Sequence, residues 1–315
     1  MAHSTRLIGT YLAAIAVSLA LVGCGGKGDS LPTPTSQAIP TTVPQSTPLP
    51  PLPTVEAAGS TGNPLTISLV VEEPSDVEAD ANALAAALSD ESGLSIDVTL
   101  TQDPAVALAA LCQGQAAAAS LDALTYLNAQ EANCGDLLYQ VEQDGETARQ
   151  GQIVSLSDRI FTPQNVRDRI FCRNLDDSMI GWVLPALSLR ANGVDPFTEL
   201  GGMVEAADDD EVLADVLDGT CDVGAIRADA QQSLDNPGAI GVILEMASVP
   251  GMSFVLSSNL SPEKRAALQD ALDGSRAELA AILGGDALVD GDDSAYDGLR
   301  DLFTSVGVDG LALSQ

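Results

Sequence analysis

Histidine is nearly missing from this chain: of 315 residues the one histidine is His3, in the apolar amino-terminal leader. An imidazole base, a histidine-activated nucleophile and a histidine-bearing zinc site are therefore out of reach of the mature chain. Lysine is almost as scarce, at Lys27 and Lys264 alone, and 13 basic residues face 45 acidic ones for a net charge of −32. Phosphate backbones need a basic surface, so nucleic acid is excluded as a partner. The same charge opposes flat docking on anionic lipid and fits a solvated acidic surface. No C-x-x-C pair, G-x-S-x-G elbow, P-loop or D-x-D-x-D-G calcium loop is present. The run Asp208-Asp209-Asp210-Glu211 lacks both the glycine and the spacing of such a loop. Paired acids can hydrolyse glycosides, but nothing sets one pair apart from the many others. The reading is a binding protein without cofactor or metal, not an enzyme.

What is present begins with a leader. Arg6 precedes an apolar stretch from Leu7 to Leu21, too short to span a bilayer comfortably and suited to a cleaved export signal. It ends in Leu21-Val22-Gly23-Cys24, which resembles a bacterial lipobox in which the cysteine is acylated. Residues 1–23 are thus expected as signal peptide, with Cys24 as the lipid-anchored first residue of a membrane-tethered, extracytoplasmic protein. Residues 24–63 follow as a spacer. Nine of the seventeen prolines lie between Pro32 and Pro64 among Ser and Thr, a composition that favours extended polyproline II and builds no core.

Roughly 250 residues remain for folding, enough for one large or two small domains. Short apolar runs alternate with helical stretches. Leu65 to Val71 reads as a strand, Asp76 to Ser92 as a helix and Ser95 to Thr101 as a strand; Asp103-Pro104 then opens a helix. Ala116 to Ser120 is a strand, with a helix starting near Asp122. The second half repeats the theme. Strands are expected at Arg169–Arg173, Gly201–Ala206, Cys221–Ile226 and Ala239–Met246, with helices at Ser178–Asn192 and Asp208–Leu217. One long helix is expected from Pro262 to Leu283, and a last one from Ala295 to Val306. The pattern is α/β with largely parallel sheet, in two lobes: 64–155 with 250–315, and 156–249. Two chain crossings, near residues 156 and 250, would form the hinge. With Cys24 acylated, four cysteines remain and allow three connectivities; the pairing expected is Cys112–Cys134 and Cys172–Cys221, each within one lobe.

Four segments carry a family resemblance. Asp177-Ser178-Met179-Ile180-Gly181-Trp182-Val183-Leu184-Pro185, running on to Leu189-Arg190-Ala191-Asn192-Gly193-Val194-Asp195, is the sharpest. Asp210 to Asp222 with Val223-Gly224-Ala225, Gly114 to Asn128, and Leu260-Ser261-Pro262-Glu263-Lys264-Arg265 are the others. Together they resemble the phosphate, phosphite and phosphonate substrate-binding proteins of ABC transporters, with the bilobal type 2 periplasmic-binding fold. The resemblance implies a monomer that closes about its hinge on a small solute and presents it to a transporter permease. It implies Ser178 as an oxyanion contact. It departs from the family pattern where Ile180 replaces a serine and where Asp208-Asp209 replaces a Ser-His pair.

Ser120–Asp122, Asp177–Ser178 and Asp208–Asp209 each fall at an expected strand-to-helix junction, where unpaired N–H groups attract oxyanions. Carboxylates there act as ordinary caps, or, as Asp122, Asp177 and Asp209 together, as an acidic pocket for a cation or amine. Glu72 and Glu73 follow the first strand. Tyr126 and Trp182 are candidate aromatic walls. Among Arg159, Arg173 and Arg227, Arg227 is the best placed to pair with an anion. The primary reading is a small phosphonate- or phosphate-like or aminophosphonate solute; the alternatives are a cationic or amine-bearing solute, or a sensor signalling to a membrane partner.

Overall fold

The computed structural model describes residues 57–159, 162–175 and 179–307. The leader, Cys24 and most of the proline-rich spacer lie outside the described residues, as do Asp177 and Ser178. Among the described residues no helix is long and apolar enough to cross a membrane.

In chain order, β1 (Leu65–Val70), α1 (Pro74–Ser92), β2 (Ile96–Thr101), α2 (Pro104–Cys112), β3 (Ala118–Leu121), α3 (Ala123–Glu131) and β4 (Gly135–Glu142) open the first lobe. The short β5 (Ala148–Arg149) leads out of it. The second lobe holds β6 (Gly151–Leu156), β7 (Ile170–Asn174), α4 (Leu184–Ala191), β8 (Gly202–Ala206), α5 (Asp209–Asp218), β9 (Val223–Arg227) and β10 (Ile240–Glu245). β11 (Val249–Pro250) leads back to β12 (Ser253–Ser257), α6 (Pro262–Gly274), α7 (Arg276–Ile282), β13 (Ala287–Asp290) and α8 (Asp297–Val306).

The helices start where short polar side chains and prolines say they should. Asp103 accepts the Ala105 amide at 2.8 Å with Pro104 behind it, and Asp122 accepts the Thr125 amide at 2.8 Å. α1 and α5 stop at Gly93 and Gly219, both at positive φ. The long helix expected from Pro262 to Leu283 is broken at Ser275, so that α6 and α7 each lay a separate face on the first sheet.

The first sheet has six strands in the order β13-β4-β12-β3-β1-β2, and the second has five in the order β10-β6-β9-β7-β8. β2, β1 and β3 are parallel, and so are β8, β7 and β9. β12 runs antiparallel to both β3 and β4. The sheets are therefore more mixed than the expected largely parallel arrangement. The reason is topological: a chain returning from the other lobe re-enters the sheet from the opposite end. The crossing also differs from the expectation. β6 pairs antiparallel with β9 and β10, so the chain leaves the first lobe between Glu142 and Gly151 and not near residue 156.

Three apolar clusters hold these layers. One lies between the first sheet and α1, α6 and α7; another lies between the second sheet and α5. The third is continuous from α2 and α3 through the crossing segments to α4 and α8. Two disulfides, Cys112–Cys134 and Cys172–Cys221, each stay within one lobe, as expected. Closing loops of this size stabilises by roughly 3–4 kcal/mol apiece in the chain-entropy model.

Candidate binding cleft

In the second lobe the parallel strands β7, β8 and β9 end at Asn174, Ala206 and Arg227, and α5 begins beside them. Ligands of α/β sheets sit at such carboxyl ends. Asp208 caps α5 by accepting the Glu211 amide at 2.9 Å, and it is exposed. The next residue turns inward. Asp209 is 5% exposed and accepts the Asn174 amide group at 2.6 Å, the Arg227 Nε–H at 2.8 Å and the Arg227 backbone N–H at 3.4 Å. One carboxylate thus ties the ends of β7 and β9 to the start of α5. Its partner Arg227 keeps 41% of its side chain exposed, so this corner presents a guanidinium backed by a buried acid.

The turn that follows β7 is held equally tightly. Residues Met179–Val183 form a π-helical turn leading into α4. A Cβ on Gly181 would stand 2.2 Å from the Asn174 carbonyl oxygen, so only glycine lets this turn fold back onto the strand end. Trp182 is half-buried and lies edge-on to Phe171 and Phe197, each 5.8 Å away. Its ring thus joins Phe171 of β7 to the exposed Phe197.

In the first lobe, β1, β2 and β3 end beside the starts of α1, α2 and α3. Ser120 is fully buried and accepts the Val70 N–H at 2.7 Å, joining the ends of β3 and β1. Asp122 accepts both the amide and the hydroxyl of Thr125 at 2.8 Å. Glu72 is exposed beyond β1, and its carbonyl accepts from the Gln102 side chain. Tyr126 lies in the core and not on a wall: it is fully buried, its ring is 4.4 Å from Tyr296, and its hydroxyl donates to Asp293 at 2.6 Å. Burial, aided by that acidic neighbour, holds its phenol well above the usual range.

Of the other arginines, Arg159 pairs with Asp222 at 3.0 Å and Arg173 with Glu205. Sequence reasoning missed Asn174 and Gly181 as shapers of the site. The signals were there, a polar residue closing an apolar strand and a glycine just inside a helix start, but neither names a role without the partner. Among the described residues, the one grouping of metal-type ligands is Cys172, Asp215 and Cys221. There the two sulfurs are bonded to each other, which removes both thiolates.

Where the two lobes join, β5 and β11 pair antiparallel, Val249 with Arg149 and Pro250 with Ala148. The chain reaches β5 through a tight turn whose central residues, Asp144 and Gly145, both have positive φ. Gly151 sits between Met246 and Ile180, where a Cβ would stand 2.5 Å from Met246 Cε and 2.9 Å from Ile180 Cγ2. The joint is therefore a two-stranded ribbon abutting the site's own turn.

Residues 68–296 match the family model described as ABC transporter, phosphonate, periplasmic substrate-binding protein. The chain belongs to that family. It is thus the periplasmic-type substrate-binding component of an ABC transporter, and its solved relatives share its fold. XAC2383 from Xanthomonas citri bound to chloride ion is 16% identical with a TM-score of 0.55, covering 77% of this chain and 97% of that one. The same protein bound to ATP is 15% identical at a TM-score of 0.54, covering 77% and 96%. PhnD1 from Prochlorococcus marinus in complex with methylphosphonate is 12% identical at 0.49, covering 77% and 98%. No curated protein matches the chain by sequence.

Proposed function

We propose that this substrate-binding protein takes a small oxyanion-bearing solute, a phosphonate or aminophosphonate, at the carboxyl ends of β7, β8 and β9, with Arg227 as its cationic contact. One observation carries the reading. The acid that replaces a hydrogen-bond donor of the family pattern, Asp209, is committed to Arg227 and Asn174. Its charge is offset inside the protein by the Arg227 guanidinium, whose side chain stays 41% exposed. A fixed, planar guanidinium can offer two N–H donors side by side to two oxygens of a tetrahedral phosphonate. Arg227→Gln is expected to weaken binding of such a solute about 10–100-fold, the equivalent of a charge-assisted hydrogen bond of roughly 1.5–3 kcal/mol. Unchanged affinity by calorimetry removes Arg227 from the site.

The tether belongs to the same proposal. Acylation of Cys24 with a proline-rich spacer behind it would hold a monomer near its permease on the outer side of the membrane. Cys24→Ala is expected to move the protein from the membrane fraction to the soluble extracytoplasmic fraction. Retention in the membrane would point to another anchor.

A further inference from the structure

We infer that α8 is a third strut between the lobes, one that no chain crossing accounts for, and that it sets how freely the binding cleft opens. The helix is rooted in the first lobe. The segment before it begins with the Asp292 N–H on Gln140 Oε1 at 2.9 Å, and the Tyr296 hydroxyl shares a hydrogen bond with Ser253. Arg300 locks the root: it donates to Asp293 Oδ1 at 2.6 Å, to the Asp293 carbonyl at 3.0 Å, to Asp297 at 2.9 Å and to Gln130 of α3.

The opposite face of α8 belongs to the other lobe. Leu299, Leu302, Phe303 and Val306 recur at helical spacing and share one apolar cluster with Leu184 and Leu187 of α4. The two helices lie against each other. α4 shows the consequence: its residues Leu184 to Leu189 are buried without interruption, Ser188 included. A helix lying on a sheet buries one stripe; one buried all round is covered on its outer side too. α8 starts beside the returning crossover, with the Cβ of Ala247 only 3.6 Å from the Cβ position of Gly298. Lobe opening about the β5–β11 ribbon must therefore slide or part the α4–α8 contact.

The consequence for solute affinity rests on the substrate-binding reading; the mechanical claim does not. Its test needs no ligand. Spin labels at exposed Asn82 of α1 and Ala214 of α5, introduced as Asn82→Cys and Ala214→Cys, report the interlobe distance in the solute-free protein. Leu302→Asp, which places a charge in the α4–α8 contact, and Arg300→Ala, which frees the root, are both expected to broaden the distance distribution. Thr304→Ala, on the exposed face, should leave it as in the wild type. Should Leu302→Asp not fold, Leu302→Ala gives the same reading in milder form. Superimposable distributions in folded variants whose α8 amides exchange faster would overturn the inference, because the helix would then have been released without consequence. If distances broaden yet no oxyanion binds, the strut stands and the solute reading falls.

Discussion

A buried carboxylate at a helix start, as at Asp209, has two opposite consequences depending on its neighbours. Left alone it repels anions and invites an amine; tied to Arg227 it becomes the scaffold for a cation. The sequence shows Asp208-Asp209 and Arg227 but not their contact, because residues 18 apart meet only once β9 lies beside β7. That is why the acidic-pocket alternative stayed open at the level of sequence. Caps were easier to read, since Asp103 and Asp122 bond amides two and three residues away. A second residue-scale network gives a pH prediction. Burial disfavours the charged form of Asp293, but hydrogen bonds from Arg300 and Tyr126 outweigh it and hold the carboxyl below its ordinary value. A depressed acid contributes stability that is present above its unfolded value, about 3.9, and is lost as pH falls through the lower folded value. The melting temperature of wild type should therefore exceed that of Asp293→Asn at neutral pH, with the gap closing below roughly pH 4. A gap that holds or widens in acid would contradict this assignment.

Among elements, those with local punctuation were legible and those defined by distant pairing were not. α1, α2, β1 and β2 fall close to where caps, prolines and apolar runs put them. β4, β6, β12 and β13 escaped notice although β6 and β12 are almost wholly buried. They are short runs whose strand character comes from pairing with distant segments, as where Ala287–Asp290 of β13 pairs with Tyr139–Glu142 of β4, about 150 residues away. The π-helical turn before α4 is a similar case. Its glycine reads as a helix weakness until Asn174 is seen against it. Gly181→Ala is expected to cost about 2 kcal/mol or more, through a Cβ that meets backbone and cannot be relieved by a rotamer change. Denaturation midpoints measure it. A change below about 0.5 kcal/mol would mean that the turn relaxes freely and is no rigid part of the site.

For the whole molecule, lobes and hinge follow from two sheets whose chain crosses at β5 and returns at β11. Composition set one outer bound: a net charge of −32 opposes nucleic acid as a partner. The position of the first crossing was the misread feature, displaced by one strand because β6 is the antiparallel member of its sheet. The family match then joins fold to transport, leaving the solute's chemistry as the central claim. The most direct test is a thermal-shift and calorimetry series on the chain from Val55 onward, with phosphonates and phosphate set against polyamines and choline-like cations. A true ligand at 100 times its Kd adds about 2.7 kcal/mol, an easily measured shift. Stabilisation by phosphonates, lost in Arg227→Gln, is the result the Asp209–Arg227 geometry predicts; stabilisation by amines that carry no oxyanion, with phosphonates inert, would contradict it.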